Sequence, residues 1–83
     1  MRYETTTPLK PTQALDLARS FFGRDLGLTE QVLSKTTAAF AGSGGELTIE
    51  AHATGGATTV EVVAHEWDYQ ARQYLRMLTE RNR

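Results

Sequence analysis

The stretch ELTIEAHATGGATTVEVVAHE, residues 46–66, decides the fold because its pattern is that of two strands joined by a tight turn. Apolar and polar residues alternate on both sides of Gly55-Gly56, as expected for half-buried strands around a two-residue hairpin turn. A turn at these glycines pairs Ala51 with Val60, Ile49 with Val62, and Leu47 with Ala64. A slip of one residue would move all these side chains to the other face, so the register is well specified.

The preceding turn extends this hairpin into a meander of three strands. A two-residue turn at Ser43-Gly44 pairs Phe40 with Leu47, Ala38 with Ile49, and Thr36 with Ala51. The spacing of Leu28, Val32, Leu33, Thr36 and Phe40 also fits a helical stripe. The threonines, Val32 and the glycines after Ala41 favour a strand, and the pairing puts Phe40 and Ala38 on the common apolar face. We therefore predict a strand over residues 32–41 and a linker over residues 24–31.

A helix is predicted before the meander, in KPTQALDLARSFFG, residues 10–23. Its apolar stripe has a spacing near 3.6 and consists of Ala14, Leu15, Ala18, Phe21 and Phe22. Pro11 suits the first turn, Thr12 is a candidate cap, and Gly23 stands where a glycine commonly ends a helix.

A second helix is predicted after the meander, in WDYQARQYLRMLTERNR, residues 67–83. Its buried stripe is predicted to be Trp67, Ala71, Tyr74, Leu75 and Leu78. Asp68 at or near the N-cap, with Arg81 and Arg83 near the C-terminus, suits the helix dipole. Arg72, Arg76 and Glu80 lie on the opposite side, with Arg76 and Glu80 spaced for an i, i+4 pair.

The first residues, RYETTT at positions 2–7, alternate like a short edge strand but equally suit a loose terminus, and both readings remain open. The predicted fold class is α+β, in the order (β)-α-β-β-β-α. It consists of a three-stranded antiparallel meander, with an N-terminal edge strand as an addition, and two helices packed on its one apolar face. Residues 1–83 form one small domain.

Composition excludes several classes of protein. Nine basic and ten acidic residues give a formal net charge of −1, which argues against a nucleic-acid binder that works by bulk charge. The absence of cysteine excludes disulfides and cysteine-ligated zinc. No segment resembles a signal peptide or a membrane span, so we expect a cytoplasmic protein without membrane partners. A domain this small has a marginal core, and oligomerisation is an ordinary way to bury more surface.

The polar face of the meander holds the residues with most chemical potential: Glu46, Glu50, His52, Glu61 and His65. The register sets Glu50 opposite Glu61, Glu46 opposite His65, and His52 opposite Thr59 with Lys35 on its other side. A carboxylate pair is one route to a general acid or base, but open sheet faces carry charge routinely. We interpret the face as solvated surface, and we predict no catalytic residue and no cofactor.

Metal and phosphate sites are not predicted. The two histidines lie about six residues apart along the sheet, or on the order of 20 Å at ~3.3 Å per residue. HEWDY at residues 65–69 lacks the second histidine of a zinc-protease motif. GSGG and TGG each join two strands rather than a strand and a helix, so they are turns.

Two known folds resemble the predicted topology. Double-stranded RNA-binding domains share the α-β-β-β-α order, but their second helix begins with a lysine-rich motif, and here it begins EWDYQAR. With an added N-terminal strand, the order also resembles a reduced helix-grip domain. That resemblance implies an apolar ligand between sheet and C-terminal helix, which would be lined by Phe22, Phe40, Trp67 and Tyr74.

We expect a non-enzymatic domain that acts by protein association, most simply as a homodimer. The association would use the outer sheet face, with Leu33, Ala39 and Val63 among its charges, or pairing of edge strands. The alternative is a binder of a small apolar ligand. An enzyme that uses Glu50 and Glu61, or the surroundings of His65, is a further hypothesis, and RNA binding is another.

Overall fold

The computed structural model describes residues 1–42 and 44–80, which form a five-stranded antiparallel sheet with two helices. The strands are β1 (Arg2–Thr7), β2 (Thr29–Val32), β3 (Thr37–Gly42), β4 (Gly45–Thr54) and β5 (Ala57–His65). The helices are α1 (Pro11–Ala18), which continues as a π-helical segment over Arg19–Asp25, and α2 (Asp68–Glu80). The strand order in the sheet is β1-β5-β4-β3-β2, so β1 and β2 are the edges.

The predicted meander is confirmed in its pairing. Across β4 and β5 the partners are Leu47 with Ala64, Ile49 with Val62, and Ala51 with Val60. Across β3 and β4, Phe40 faces Leu47 and Ala38 faces Ile49, while the carbonyl of Thr36 accepts a hydrogen bond of 2.8 Å from the Ala51 amide. Gly42 faces Gly45, which leaves two residues for the turn, as predicted, although Ser43 lies outside the described residues.

The N-terminal segment forms the edge strand that the sequence left open. It pairs with β5 from Arg2 opposite Val63 to Thr7 opposite Thr58. The terminal ammonium of Met1 extends the pairing by donating a 2.7 Å hydrogen bond to the carbonyl of Ala64. Thus the first and last strands of the chain are neighbours in the sheet.

The predicted strand over residues 32–41 is wrong in its first half. β3 begins at Thr37, and the amides of Leu33 and Ser34 both donate to the carbonyl of Thr37, which closes a tight turn. The Ser34 hydroxyl supports the turn by accepting a 3.1 Å hydrogen bond from the amide of Thr36. Lys35 lies in this turn, outside the paired residues of β3, whose register with β4 ends at Thr37 opposite Glu50. The last residues of the predicted linker, 29–31, form the separate strand β2 together with Val32, which the prediction had placed in the following strand.

The first helix also departs from prediction at both ends. Its N-cap is Lys10 rather than Thr12, and the Lys10 amide donates a 2.8 Å hydrogen bond to the side-chain oxygen of Gln13. The helix does not stop at Gly23, because the amide of Leu26 bonds to the Phe21 carbonyl in the i→i−5 manner of a π-helix. The chain reverses instead at Gly27, whose φ is +74°.

α2 has the predicted inward side, with Ala71, Tyr74 and Leu78 fully buried and Trp67 and Leu75 partly buried. Asp68 lies in the first turn, where its carboxylate accepts a 2.8 Å hydrogen bond from the hydroxyl of Tyr3, so it joins the helix to β1. Within the described residues, Arg76 and Glu80 form no ion pair. Arg81 and Arg83 lie outside the described residues.

Both helices pack on the same face of the sheet, and the buried apolar residues form one core. α2 lies mainly on β1 and β5, and α1 lies mainly on β4. The other face of the sheet has no helix on it within the described residues. In residues 1–42 and 44–80, no helix is long and apolar enough to span a membrane.

Candidate functional site

Three of the four residues predicted to line a ligand pocket pack against one another in the core. Phe22 lies between Phe40 and Tyr74, with ring centroids 5.5 Å and 5.4 Å away, and none of the three is exposed to solvent. The Tyr74 hydroxyl donates a 2.8 Å hydrogen bond to the carbonyl of Ala14, and burial raises the pKa of Tyr74 above its ordinary value. A ligand between the layers would have to displace these rings.

Trp67, the fourth predicted ligand residue, lies at the end of the β3–β4 hairpin. Its indole nitrogen donates a 3.2 Å hydrogen bond to the carbonyl of Gly42, and its side chain is partly buried. A Cβ on Gly45 would lie 2.8 Å from the same indole nitrogen, so the indole packs closely over this glycine. Trp67 therefore connects the chain just after β5 to the β3–β4 hairpin by a hydrogen bond and by packing.

The outer face of the sheet has the predicted polar pairs. Glu50 faces Glu61, Glu46 faces His65, and His52 faces Thr59. The two histidines are six residue positions apart along β4, because His65 faces Glu46 while the other histidine is His52 itself, as predicted. The predicted positions are thus brought to one face without converging on one point.

A fourth glutamate joins this face, and the sequence analysis did not include it. Glu4 of β1 faces Glu61, so Glu4, Glu61 and Glu50 form a row across three adjacent strands. Glu61 is half-buried and lies 3.7 Å from the guanidinium of Arg2, which offsets part of the repulsion. The alternation of residues 2–7 places Glu4 on the polar face if that segment is a strand. Because the sequence left the strand open, it did not predict the position of Glu4.

A shallow cleft of about 420 Å³ lies at the hairpin end of this face, beside Glu46 and His65. Its floor is the backbone of the glycine-rich turn. Glu66, which follows His65 in the sequence, has a φ of +80°. Within residues 1–42 and 44–80, no three histidine, aspartate or glutamate side chains lie close enough together to hold a metal ion. The cleft therefore presents one histidine and one carboxylate on an open surface.

The edge at β2 has an unpaired backbone. The Leu33 amide bonds to the carbonyl of Thr37 of β3, and hydrogen-bonded residues alternate along an antiparallel strand. The register then directs the amides and carbonyls of Glu30 and Val32 away from β3, toward the open side. These groups form a template for another strand.

The side chains at this edge are apolar or charge-neutralised. Val32 is 60% exposed and Leu33 is 52% exposed, which makes them the two adjacent large hydrophobic residues on the described surface. The carboxylate of Glu30 is bound by the guanidinium of Arg19, which also reaches Asp16 at 2.9 Å. Charged side chains are one of the devices that protect edge strands, and β2 has none free of an ion pair, so its short length of four residues is what limits pairing.

The β2 edge and the outer sheet face are therefore the two surfaces with features beyond ordinary solvation. The first has two exposed apolar side chains beside free backbone groups, and the second is acidic. Comparison of the chain with protein-family models, with curated proteins and with solved structures finds no match.

Proposed function

We propose that the chain is a non-enzymatic association module that forms a homodimer by pairing β2 with β2 of a second copy. The observation that carries the proposal is the exposure of Val32 and Leu33 beside an unpaired strand edge. Pairing would satisfy backbone groups and cover apolar surface together, which are the two gains that drive strand addition. The protein would act in the cytoplasm. Disulfides are rare in that compartment, so a chain without cysteine is not at a disadvantage there.

The geometry of β2 favours one register. The outward backbone groups belong to Glu30 and Val32. A two-fold axis at Gln31 pairs Glu30 of one copy with Val32 of the second copy, and Val32 of the first with Glu30 of the second. This arrangement matches all residues from Thr29 to Leu33 and covers each Val32 with the aliphatic part of a Glu30 side chain. The result is a continuous ten-stranded sheet across two chains.

The outer sheet face is the less favourable surface for self-association. Four glutamates and one arginine, which are Glu4, Glu46, Glu50, Glu61 and Arg2, give it a net charge of −3 with histidines neutral. Two such faces would bring like charges together, which costs free energy and discourages the wrong contact. The apolar-ligand alternative is also less favoured, because its aromatic residues already fill the space between the layers.

The mass of the protein in solution tests the proposal. An edge this short buries well under the ~800 Å² per partner of a standard interface, so we expect a dissociation constant of roughly micromolar order. Light scattering at high micromolar concentration should give about twice the chain mass of 9.2 kDa. A monomeric mass under these conditions contradicts the proposal.

Two valine-to-glutamate variants locate the contact. Val32→Glu places a carboxylate at the β2 edge, directly opposite Glu30 of the second copy in this register, and should give a monomer because like charges opposite each other repel. Val63→Glu places the same charge on the outer face, opposite Thr48, and should leave the dimer intact. The reverse outcome would move the interface to the outer face. Circular dichroism of both variants verifies that they are folded.

A further inference from the structure

The outward side of α2 carries a cleft that the dimer does not use. It has a volume of about 260 Å³ and is lined by Tyr69, Arg72, Gln73 and Arg76. These residues are spaced three, four and seven positions apart, so they form one stripe along the helix. Tyr69 is 64% exposed, which leaves its ring open to a partner.

The two arginines of the cleft differ from the other arginines that the structure describes. Arg2, Arg19 and Arg24 each lie within ion-pair distance of a carboxylate. Arg72 and Arg76 have no such partner among residues 1–42 and 44–80. Like charges one helical turn apart repel each other mildly, so this pair favours binding of an anion.

Two carboxylates of α2, Asp68 and Glu80, lie one turn from these arginines, and neither forms an ion pair with them among the described residues. Asp68 lies one turn before Arg72, but it accepts a hydrogen bond of 2.8 Å from the Tyr3 hydroxyl and lies 3.7 Å from the terminal ammonium of Met1. The hydrogen bond to Asp68 raises the pKa of Tyr3 above its ordinary value, and the nearby positive charge of Arg72 acts in the opposite direction. The cleft therefore keeps its positive charge.

The chemistry of the lining residues defines the ligand. Two guanidinium groups, an amide and a phenol offer many donors, and guanidinium groups bind carboxylates through two parallel hydrogen bonds. The exposed Tyr69 ring adds an apolar surface beside these donors. The volume lies below the roughly 300–1,000 Å³ of pockets that enclose small metabolites. A carboxylate side chain with an apolar neighbour fits this space.

We propose that an acidic segment of a partner protein docks on α2, with its carboxylates bound by Arg72 and Arg76 and an apolar side chain on Tyr69. This inference goes beyond the homodimer and does not depend on it. α2 packs on β1 and β5, at the opposite end of the strand order from β2. A dimer through β2 would thus present one cleft at each end, which doubles the valency for a partner with two acidic segments.

Fluorescence anisotropy with a fluorescein-labelled oligoglutamate peptide that has one central phenylalanine tests the proposal. The wild-type protein should bind it, and a peptide with glutamine in place of glutamate should not bind. The double variant Arg72→Gln/Arg76→Gln should bind about tenfold or more weakly, as expected when two charge-assisted contacts are lost. The control variant Arg2→Gln/Arg24→Gln has the same net charge and should bind like the wild type.

Three results overturn the proposal. The first is no binding of the peptide by the wild type at low ionic strength. The second is equal weakening in both double variants, which would show that only net charge matters. The third is displacement of the peptide by low millimolar inorganic phosphate, which would indicate a site for a free oxyanion. The monomeric Val32→Glu variant should bind the peptide with unchanged affinity per chain, so failure of the dimer and failure of the cleft are distinguishable.

Discussion

Gly45 is the residue at which the structure tolerates a side chain least. It begins β4, where the hairpin backbone passes under the end of β5. A Cβ at this position would lie 2.6 Å from the carbonyl oxygen of His65, 2.7 Å from the Cβ of Glu66 and 2.8 Å from the indole nitrogen of Trp67. Backbone is among these neighbours, so rotation of a flexible side chain cannot relieve the clash. We therefore expect Gly45→Ala to destabilise the protein.

The magnitude follows from two contributions. Forcing an extra carbon into a packed site costs about 1–3 kcal/mol. Moving the indole away from the glycine also weakens its hydrogen bond to the carbonyl of Gly42, which contributes about 0.5–1.5 kcal/mol. The sum is about 1.5–4.5 kcal/mol, a large share of the roughly 4–12 kcal/mol expected for a domain of this length. The melting temperature should fall by roughly 5–35 °C.

Gly23→Ala is the matched control, because it is the same substitution with the opposite expected sign. Gly23 lies in the π-helical segment, and the nearest atom to an added Cβ is a ring carbon of Phe40 at 3.9 Å, an ordinary contact. We expect about 0.4–1 kcal/mol of stabilisation, because alanine has less backbone freedom to lose on folding.

Urea unfolding at one fixed protein concentration measures both variants. The fluorescence of Trp67, the single tryptophan, reports the hairpin end, and far-ultraviolet circular dichroism reports the whole fold. The linear extrapolation gives the free energy of unfolding from each probe. A Gly45→Ala protein within about 0.5 kcal/mol of wild type, the usual range for harmless surface changes, would refute the reasoning, as would a Gly23→Ala protein that is the less stable of the two.

Three further outcomes follow from single side chains. Because burial raises the pKa of Tyr74, the stability linked to its neutral form is complete below its unfolded value of about 10 and is lost as pH rises beyond it. Tyr74→Phe should flatten this alkaline decline in urea midpoints. Glu66→Gly should raise the free energy of unfolding by about 0.5–1 kcal/mol, since glycine adopts a φ of +80° without a Cβ clash. Thr7→Val should lower it by about 1–2 kcal/mol, because the Thr7 hydroxyl hydrogen-bonds α2 at 3.2 Å and the Leu9 amide at 3.3 Å. Thr5→Val, which removes no hydrogen bond within the described residues, should change it little in the same urea unfolding measurement.

The central hairpin was predictable because two independent signals agreed. Gly55 and Gly56 both have positive φ, which the turn requires and which glycine supplies. The alternation on either side then fixed the register, since only one pairing puts Leu47, Ile49 and Ala51 against apolar partners. Side-chain burial on both strands depends on this pairing, so an error here would have reversed the faces of the sheet.

β2 was missed because an edge strand has little burial to mark it. Thr29 and Gln31 point to the outer face, and Val32 is exposed, so the segment lacks a regular apolar alternation. The turn over residues 33–36 was missed as well, because the composition of this segment is also compatible with a strand. The hydroxyls of Ser34 and Thr36 hydrogen-bond to each other within the turn. The end of the first helix was missed for another reason, because π-helical bonding carried the chain past Gly23.

The missed strand also changes where association is expected to occur. Val32 faces Ala38 and therefore belongs to the side of the sheet that the helices cover, where Ala38 is buried. It is nevertheless 60% exposed, because it lies on an edge strand that has a neighbouring strand on one side only among the described residues. A strand added at this edge would set side chains of the second copy beside Val32 on the same face of the sheet, whereas a contact on the outer face would leave that side chain in water. The exposed valine and the outward amides of β2 thus favour the same partner, another strand, and the acidic outer face of a second copy does not provide one.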